Sequence, residues 1–164
     1  MIFVTVGTHE QQFNRLIEKV DALAGAGVIS EPVIMQTGFS DYVPKHCEWK
    51  KLIPYDEMIQ NVKNARIVIT HGGPASFIMP LRFGKTPVVV PRMLEFGEHV
   101  NNHQVEFVQA VSERMNQIIP VSDIKELEYK VLHYDEICKT MNQGTAGNNA
   151  EFNRRLEQIV SEMF

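Results

Sequence analysis

Residues 65–80 read "ARIVITHGGPASFIMP" and decide the fold. Ala65 to Thr70 is an apolar, β-branched run that predicts a buried strand, and Pro74 to Phe83 predicts a helix. Between them Gly72 and Gly73 remove two Cβ atoms where the chain must turn, which allows close backbone approach. Pro74 suits the first helical position, where its missing N–H would have had no partner. Ala75 and Ser76 then present amides and a hydroxyl at the positive end of a helix, an anion site whose usual occupant is a phosphate. The plainer alternative is a tight strand-to-helix turn with nothing bound. Pro80 forfeits a bond to the Ser76 carbonyl and should kink the helix or end it early.

The same strand–helix alternation extends outward in both directions. Strands are predicted at 2–6, 32–37, 49–53, 86–91 and 117–121, and helices at 10–24, 55–63, 100–113 and from Ser122 or Asp123 to about His133. Such alternation predicts one α/β domain over 1–164, a Rossmann-like doubly wound parallel sheet with helices on both faces. In that architecture ligands bind beyond the carboxyl ends of strands, near the switch in strand order. Four loops there carry glycines, histidines and amides: 7–11, 36–38, 70–76 and 91–104. The first lacks both G-x-G-x-x-G and the lysine of a P-loop, and Thr8 also reads as an N-cap for a helix starting near Glu10.

The 164 residues suffice for one compact core, and a formal net charge of −4 argues against nucleic acid as a partner. No apolar run approaches the ~20 residues that span a bilayer, and Cys47 and Cys138 show no metal or redox spacing, which fits a reducing cytoplasm. His99 and His103, four apart on a predicted helix, could hold a metal, but without H-E-x-x-H they read better as a polar pocket wall, and no metal is expected. In the tail, Phe152, Leu156, Ile159, Val160 and Met163 form one apolar stripe on a helix at about 148–163. The stripe either packs back on its own domain or docks on a partner.

Taken together, "VTVGTHEQQFNRLI" (4–17), "MQTG" (35–38), "ITHGGPAS" (69–76) and "VPRMLEFGEHVNNHQ" (90–104) resemble the UDP-sugar-binding half of GT-B glycosyltransferases of family 28. The likeness is to the soluble subunits of two-part transferases, such as the dolichol-pathway GlcNAc transferase subunit and its bacterial capsule and exopolysaccharide counterparts. The resemblance implies that Gly7, Thr8 and His9 lie by the donor diphosphate, with His9 the acid/base candidate on this half. It implies that Gln36, Thr37 and Gly38, with backbone near Tyr55, border the nucleoside, and that His71, Gly72, Gly73, Pro74, Ala75 and Ser76 hold the diphosphate. Asn102, His103 and Gln104 would bind the donor sugar, and Arg92 and Glu98 would add charge to phosphate and hydroxyl contacts. Many such enzymes carry a ribose-binding glutamate where Met79 stands, so either Glu95 or Glu98 substitutes or ribose is held differently.

The implied activity is inverting transfer from a UDP-sugar, with no cofactor, to a polyprenyl-linked saccharide. The acceptor and the main base would come from a membrane-anchored partner subunit, which would hold this chain at the inner face of the membrane. A stand-alone nucleotide-binding regulatory module and a UDP-sugar epimerase-like fragment are the alternatives.

Overall fold

The structure is a computed structural model that describes residues 1–141 and 149–163. In chain order the elements are β1 (Ile2–Thr5), α1 (Asn14–Gly25), β2 (Val33–Gln36), β3 (Glu48–Lys50), α2 (Tyr55–Asn64), β4 (Ile67–His71) and α3 (Pro74–Arg82). They continue with β5 (Val88–Val90), α4 (His103–Met115), β6 (Ile119–Pro120), α5 (Leu127–Leu132), α6 (Tyr134–Lys139) and α7 (Asn149–Met163). All six strands are parallel in the order β3-β2-β1-β4-β5-β6, so the expected doubly wound sheet is present. Ile2 is in register with Val33 on one side and Ile67 on the other, which puts the switch in strand order between β1 and β4.

Alternation along the strands divides the core. Ile2, Val4, Ile67, Ile69, Val88 and Val90 pack with Leu16, Ile17 and Val20 of α1 and with Leu127 and Val131 of α5. From the other face Phe3 and Val68 pack with Val62 of α2, and Val89 packs with Phe77, Phe107, Val111, Leu156 and Ile159. Each fully buried aliphatic or aromatic side chain contributes about 1.5–3 kcal/mol of transfer free energy, and both faces of the sheet are covered.

Helix α1 begins at Asn14 and not near Glu10, so Thr8 is not its N-cap. The reason is a competing donor: the buried Arg92 guanidinium bonds the carbonyls of Gln11 and Gln12 and holds 7–13 as a loop. Helix α4 likewise begins at His103, because the Asn102 side chain accepts from Leu94 N and the Asn101 side chain from His103 N. His99 therefore precedes the helix, and the expected shared helical face of His99 and His103 does not exist. The helix carrying Pro80 runs on through it to Arg82 and is closed by Gly84 in the left-handed region (φ 72°), where Gly84 N bonds Leu81 O and Lys85 N bonds Pro80 O. The sequence reading did not foresee the short α6.

The tail forms α7, and Leu156 and Ile159 are buried among Phe107, Val111 and Met115 of the same domain. Arg114 pairs with Glu162 across that contact. The centre of the stripe is thus spent on this domain and is not free to dock elsewhere. Residue 148 and the side chains of Phe152 and Met163 lie outside the described residues. On the α1 side, Asp21 is 1% exposed and accepts from Tyr42 Oη at 2.7 Å, His46 N at 2.8 Å and Lys45 N at 3.1 Å. It pins the loop that leads into β3.

Candidate functional site

A cavity of about 590 Å³ opens at the β1/β4 switch, where a doubly wound sheet puts its ligands. One end is polar, with Thr8, His9, His71, Ala75 and Ser76; the other is apolar, with Ile53, Met58, Val62, Val68 and Met79. No Lys, Arg, Asp or Glu is among the lining residues. At the head of α3, Ser76 N bonds Gly73 O, while Ala75 N–H, at the second helical position, has no acceptor within the helix. That amide, the helix dipole and the Ser76 hydroxyl converge at the polar end and suit an anion.

His71 is the centrepiece. It is 8% exposed, its Nδ1 accepts from Gly73 N at 3.1 Å, and its Nε2 lies 2.8 Å from Ser76 Oγ. Burial, with the positive charge of nearby Arg92 adding to it, pushes its pKa down to about 3, so the ring is neutral. The glycines around it are explained by this ring. A Cβ at Gly73 would overlap the imidazole and stand 3.1 Å from Nδ1, and one at Gly7 would overlap the same ring at Nε2. A Cβ at Gly72 would stand 2.9 Å from Val108 Cγ2 and 3.1 Å from Gln104 Cβ. In sequence these glycines fit either close approach of a ligand or a tight turn with nothing bound; what the missing Cβ atoms admit is protein.

The amide-bearing residues are more committed than their sequence suggests. Gln104 Oε1 accepts from Gly72 N at 3.1 Å and Arg92 N at 3.0 Å, clasping the loops after β4 and β5 together. Gln36 lines the cavity, but its Nε2 bonds Thr5 Oγ1 and Gly7 O while its Oε1 accepts from Ile53 N. Thr37 and Gly38 are tied by their amides to Lys50 O and Lys51 O and do not line the cavity. Tyr55 stands at the mouth, 67% exposed. Asn102 and His103 sit at the start of α4 and, like Gln104, are outside the cavity lining.

Arg92 and Glu98 correct the expectation of direct ligand contact. Both are fully buried: Arg92 bonds Val6 O, Gln11 O and Glu98 O, and Glu98 is held by Arg15 Nε at 2.8 Å and Met93 N at 3.0 Å. Burial lowers the Arg92 pKa to about 10, against the raising influence of Glu98. Arg92 is a fixed positive charge beneath the loops, not a ligand group. Its signal in the sequence was its setting, an arginine straight after "VVVP" at the end of a buried strand. Neither Glu95 nor Glu98 lines the cavity, so neither replaces the carboxylate missing at Met79, which does line it.

His9 lines the cavity and its ring lies 4.9 Å from that of His99. Burial, with His9 adding to it, lowers the His99 pKa. His9 Nδ1 accepts from Gln11 N at 3.0 Å, which leaves Nε2 as the donor nitrogen of that ring.

The glycosyltransferase family 28 C-terminal domain profile matches residues 1–159. No curated protein matches the chain. Among solved structures, CalG4, the calicheamicin glycosyltransferase, is similar with a TM-score of 0.53 and 17% identity over 99% of this chain and 39% of its own. The glycotransferase of kitacinnamycin gives 0.50 and 16% over 99% and 38%. SnogD from Streptomyces nogalater gives 0.49 and 16% over 99% and 38%. The first two likenesses show the fold alone, that of one half of the GT-B architecture. The chain spans under two fifths of the length of each of the three structures.

Proposed function

The chain belongs to the glycosyltransferase family 28 C-terminal domain family, and from that membership we propose that it is the donor-binding half of an inverting glycosyltransferase that uses a UDP-sugar. The observation that carries the reading is the two-ended cavity at the strand switch. Its polar end offers Ala75 N–H, Ser76 Oγ and the head of α3 to a diphosphate, and its apolar end offers Met58, Val62 and Met79 to a nucleoside. Donors already aimed at the diphosphate would stabilise UDP as a leaving group when the glycosidic bond breaks, without reorganising at that moment. His9 Nε2, at the mouth, adds a donor to the phosphate or the sugar rather than a base.

The acceptor and the base belong to a second half that these residues do not include. We place that half on a membrane-anchored partner presenting a polyprenyl-linked saccharide, as in capsule or exopolysaccharide synthesis. Among the described residues no helix is long and apolar enough to cross a membrane. Calorimetry against UDP, UDP-hexoses and free hexoses tests the first part. UDP should bind and the free sugars should not; equal binding of neither or both refutes it. Transfer to a polyprenyl-diphosphate saccharide with and without the partner tests the second, and full turnover by this chain alone would remove the need for a partner.

A further inference from the structure

We propose that Gln104 and His71 form a positioning relay that sends the Ser76 hydroxyl proton out of the chain and into the cavity. What receives that proton rests on the diphosphate reading; the relay itself is a matter of hydrogen-bond geometry.

The chain of constraints starts at backbone. Gln104 Oε1 meets two N–H groups, Gly72 and Arg92, at 3.1 and 3.0 Å. Rotating the carboxamide by half a turn would press its NH₂ against those two donors, so the orientation is fixed. Its Nε2 then faces His71 Nδ1 at 3.4 Å, and Gly73 N–H approaches the same nitrogen at 3.1 Å. Nδ1 is met by donors from two elements and must be an acceptor. The ring is buried and neutral, with Arg92, His9 and His99 all opposing a positive charge on it, so its one proton sits on Nε2.

Nε2–H donates to Ser76 Oγ across 2.8 Å. A serine hydroxyl is normally free to accept or donate, and here its accepting side toward the protein is taken. Its own proton is left to point into the cavity that Ser76 lines. Turning the imidazole over would set Cδ2–H against Gly73 N and Cε1–H against Ser76 Oγ and lose both hydrogen bonds, so the orientation is fixed. The result is a neutral, one-way donor for an anionic oxygen, prepared before the ligand arrives. Gln104 and His71 are positioning residues in this scheme, with only the Ser76 hydroxyl touching the ligand.

The test combines nitrogen-15 shifts of His71 with a double-mutant cycle. Ligand-free protein should show the Nε2–H tautomer. Gln104→Glu keeps an oxygen for the two backbone amides but sets a second, charged oxygen against Nδ1, which should draw the ring proton to Nδ1 at the expense of the weaker bond from Gly73 N. Nε2 would then accept from Ser76 and draw its hydroxyl proton out of the cavity. UDP binding should weaken about tenfold in that variant. In a Ser76→Ala background the same change should matter by less than about twofold, because no hydroxyl is left to turn. An Nδ1–H tautomer in the parent protein overturns the proposal. So does an equal loss in both backgrounds, which would mark simple charge repulsion, or unchanged UDP affinity after the proton has moved to Nδ1. If the parent protein does not bind UDP, the diphosphate reading fails, while the nitrogen shifts still decide the relay.

Discussion

Gly73→Ala separates two reasons for a glycine at the head of α3. If the missing Cβ makes room for a ligand, alanine should leave the ligand-free protein intact and harm only binding. If it makes room for the His71 ring, alanine should destabilise the protein before any ligand is added. Gly73 has φ −72° and ψ 131°, an extended conformation that alanine adopts freely, so backbone strain does not enter. The new methyl overlaps His71 Cε1 and sits at 3.1 Å from Nδ1 and 3.2 Å from Nε2, so the ring must move. It cannot swing toward Gly7, whose own position is as tight against the ring. Overpacking of this kind costs ~1–3 kcal/mol, and disturbing the bonds to Gly73 N and Ser76 Oγ adds ~1 kcal/mol. The reduced entropy of the unfolded chain returns about 0.4–1 kcal/mol. The expected net loss is about 2 kcal/mol, or a melting temperature lower by ~4–8 °C for a domain of this size. UDP affinity should fall as well, since Ser76 loses its partner. Thermal melts of the ligand-free variant, with a UDP titration alongside, decide the matter. A melt within about a degree of the parent, with UDP binding lost, would refute the ring-packing reason and restore the ligand-approach one.

The remaining expectations address other parts of the molecule. Leu156→Ala should destabilise the domain by ~2–4 kcal/mol in a denaturant titration, because Leu156 is buried against α4; a loss below about 0.5 kcal/mol would mean α7 is not part of the core. Asp21 has a lowered pKa: burial acts to raise it, but bonds from Tyr42, His46 N and Lys45 N outweigh that. Its stabilisation should therefore be complete above the ordinary value of 3.8 and be lost as pH falls through the lowered native value, and in Asp21→Asn this limb of the acid unfolding curve should flatten. The cavity has no carboxylate where a nucleoside's sugar ring would lie, so UDP and 2′-deoxy-UDP should bind within about threefold of each other. Met79→Glu should open a preference for UDP of roughly tenfold, and a strong ribose preference in the parent would show that backbone or another group reads the hydroxyl.

β1, β4 and β5 are legible because each is an apolar run in a sheet covered on both faces; the edge strand β3 (Glu48–Lys50) is exposed along its length and lies earlier than the predicted 49–53. "ITHGGPAS" declared its strand, turn and helix in eight residues. Less legible was the division of polar residues between ligand and protein. Gln36, Gln104, Arg92 and Glu98 all look like binding groups in sequence, and all four spend side-chain atoms on backbone or on one another. Such commitments join residues as many as 86 positions apart, as between Arg92 and Val6, so no local pattern contains them. The misplaced start of α1 has the same origin, since its would-be first carbonyls are taken by Arg92, some 80 residues on. The tail shows the converse. Its stripe was plain, but an amphipathic pattern does not say which apolar surface it meets.

The charge distribution joins these observations to the proposed division of labour. A diphosphate brings at least two negative charges into a cavity whose lining carries no formal charge. Two fixed positive charges, Arg92 and Arg15, lie beneath the loops, and Glu98 between them offsets one. What this half offers is therefore direction: N–H and O–H groups aimed at one point, with a neutral imidazole behind them. In the proposed function, neutral donors would hold the phosphates without a strong ion pair, which would favour release of UDP once the sugar has left. They would also leave charge to be balanced at the open side of the cavity, the side proposed for the partner half. A site that supplies geometry and leaves counter-charge to the opposing half would be well formed in the ligand-free chain and fully competent only when the two halves meet.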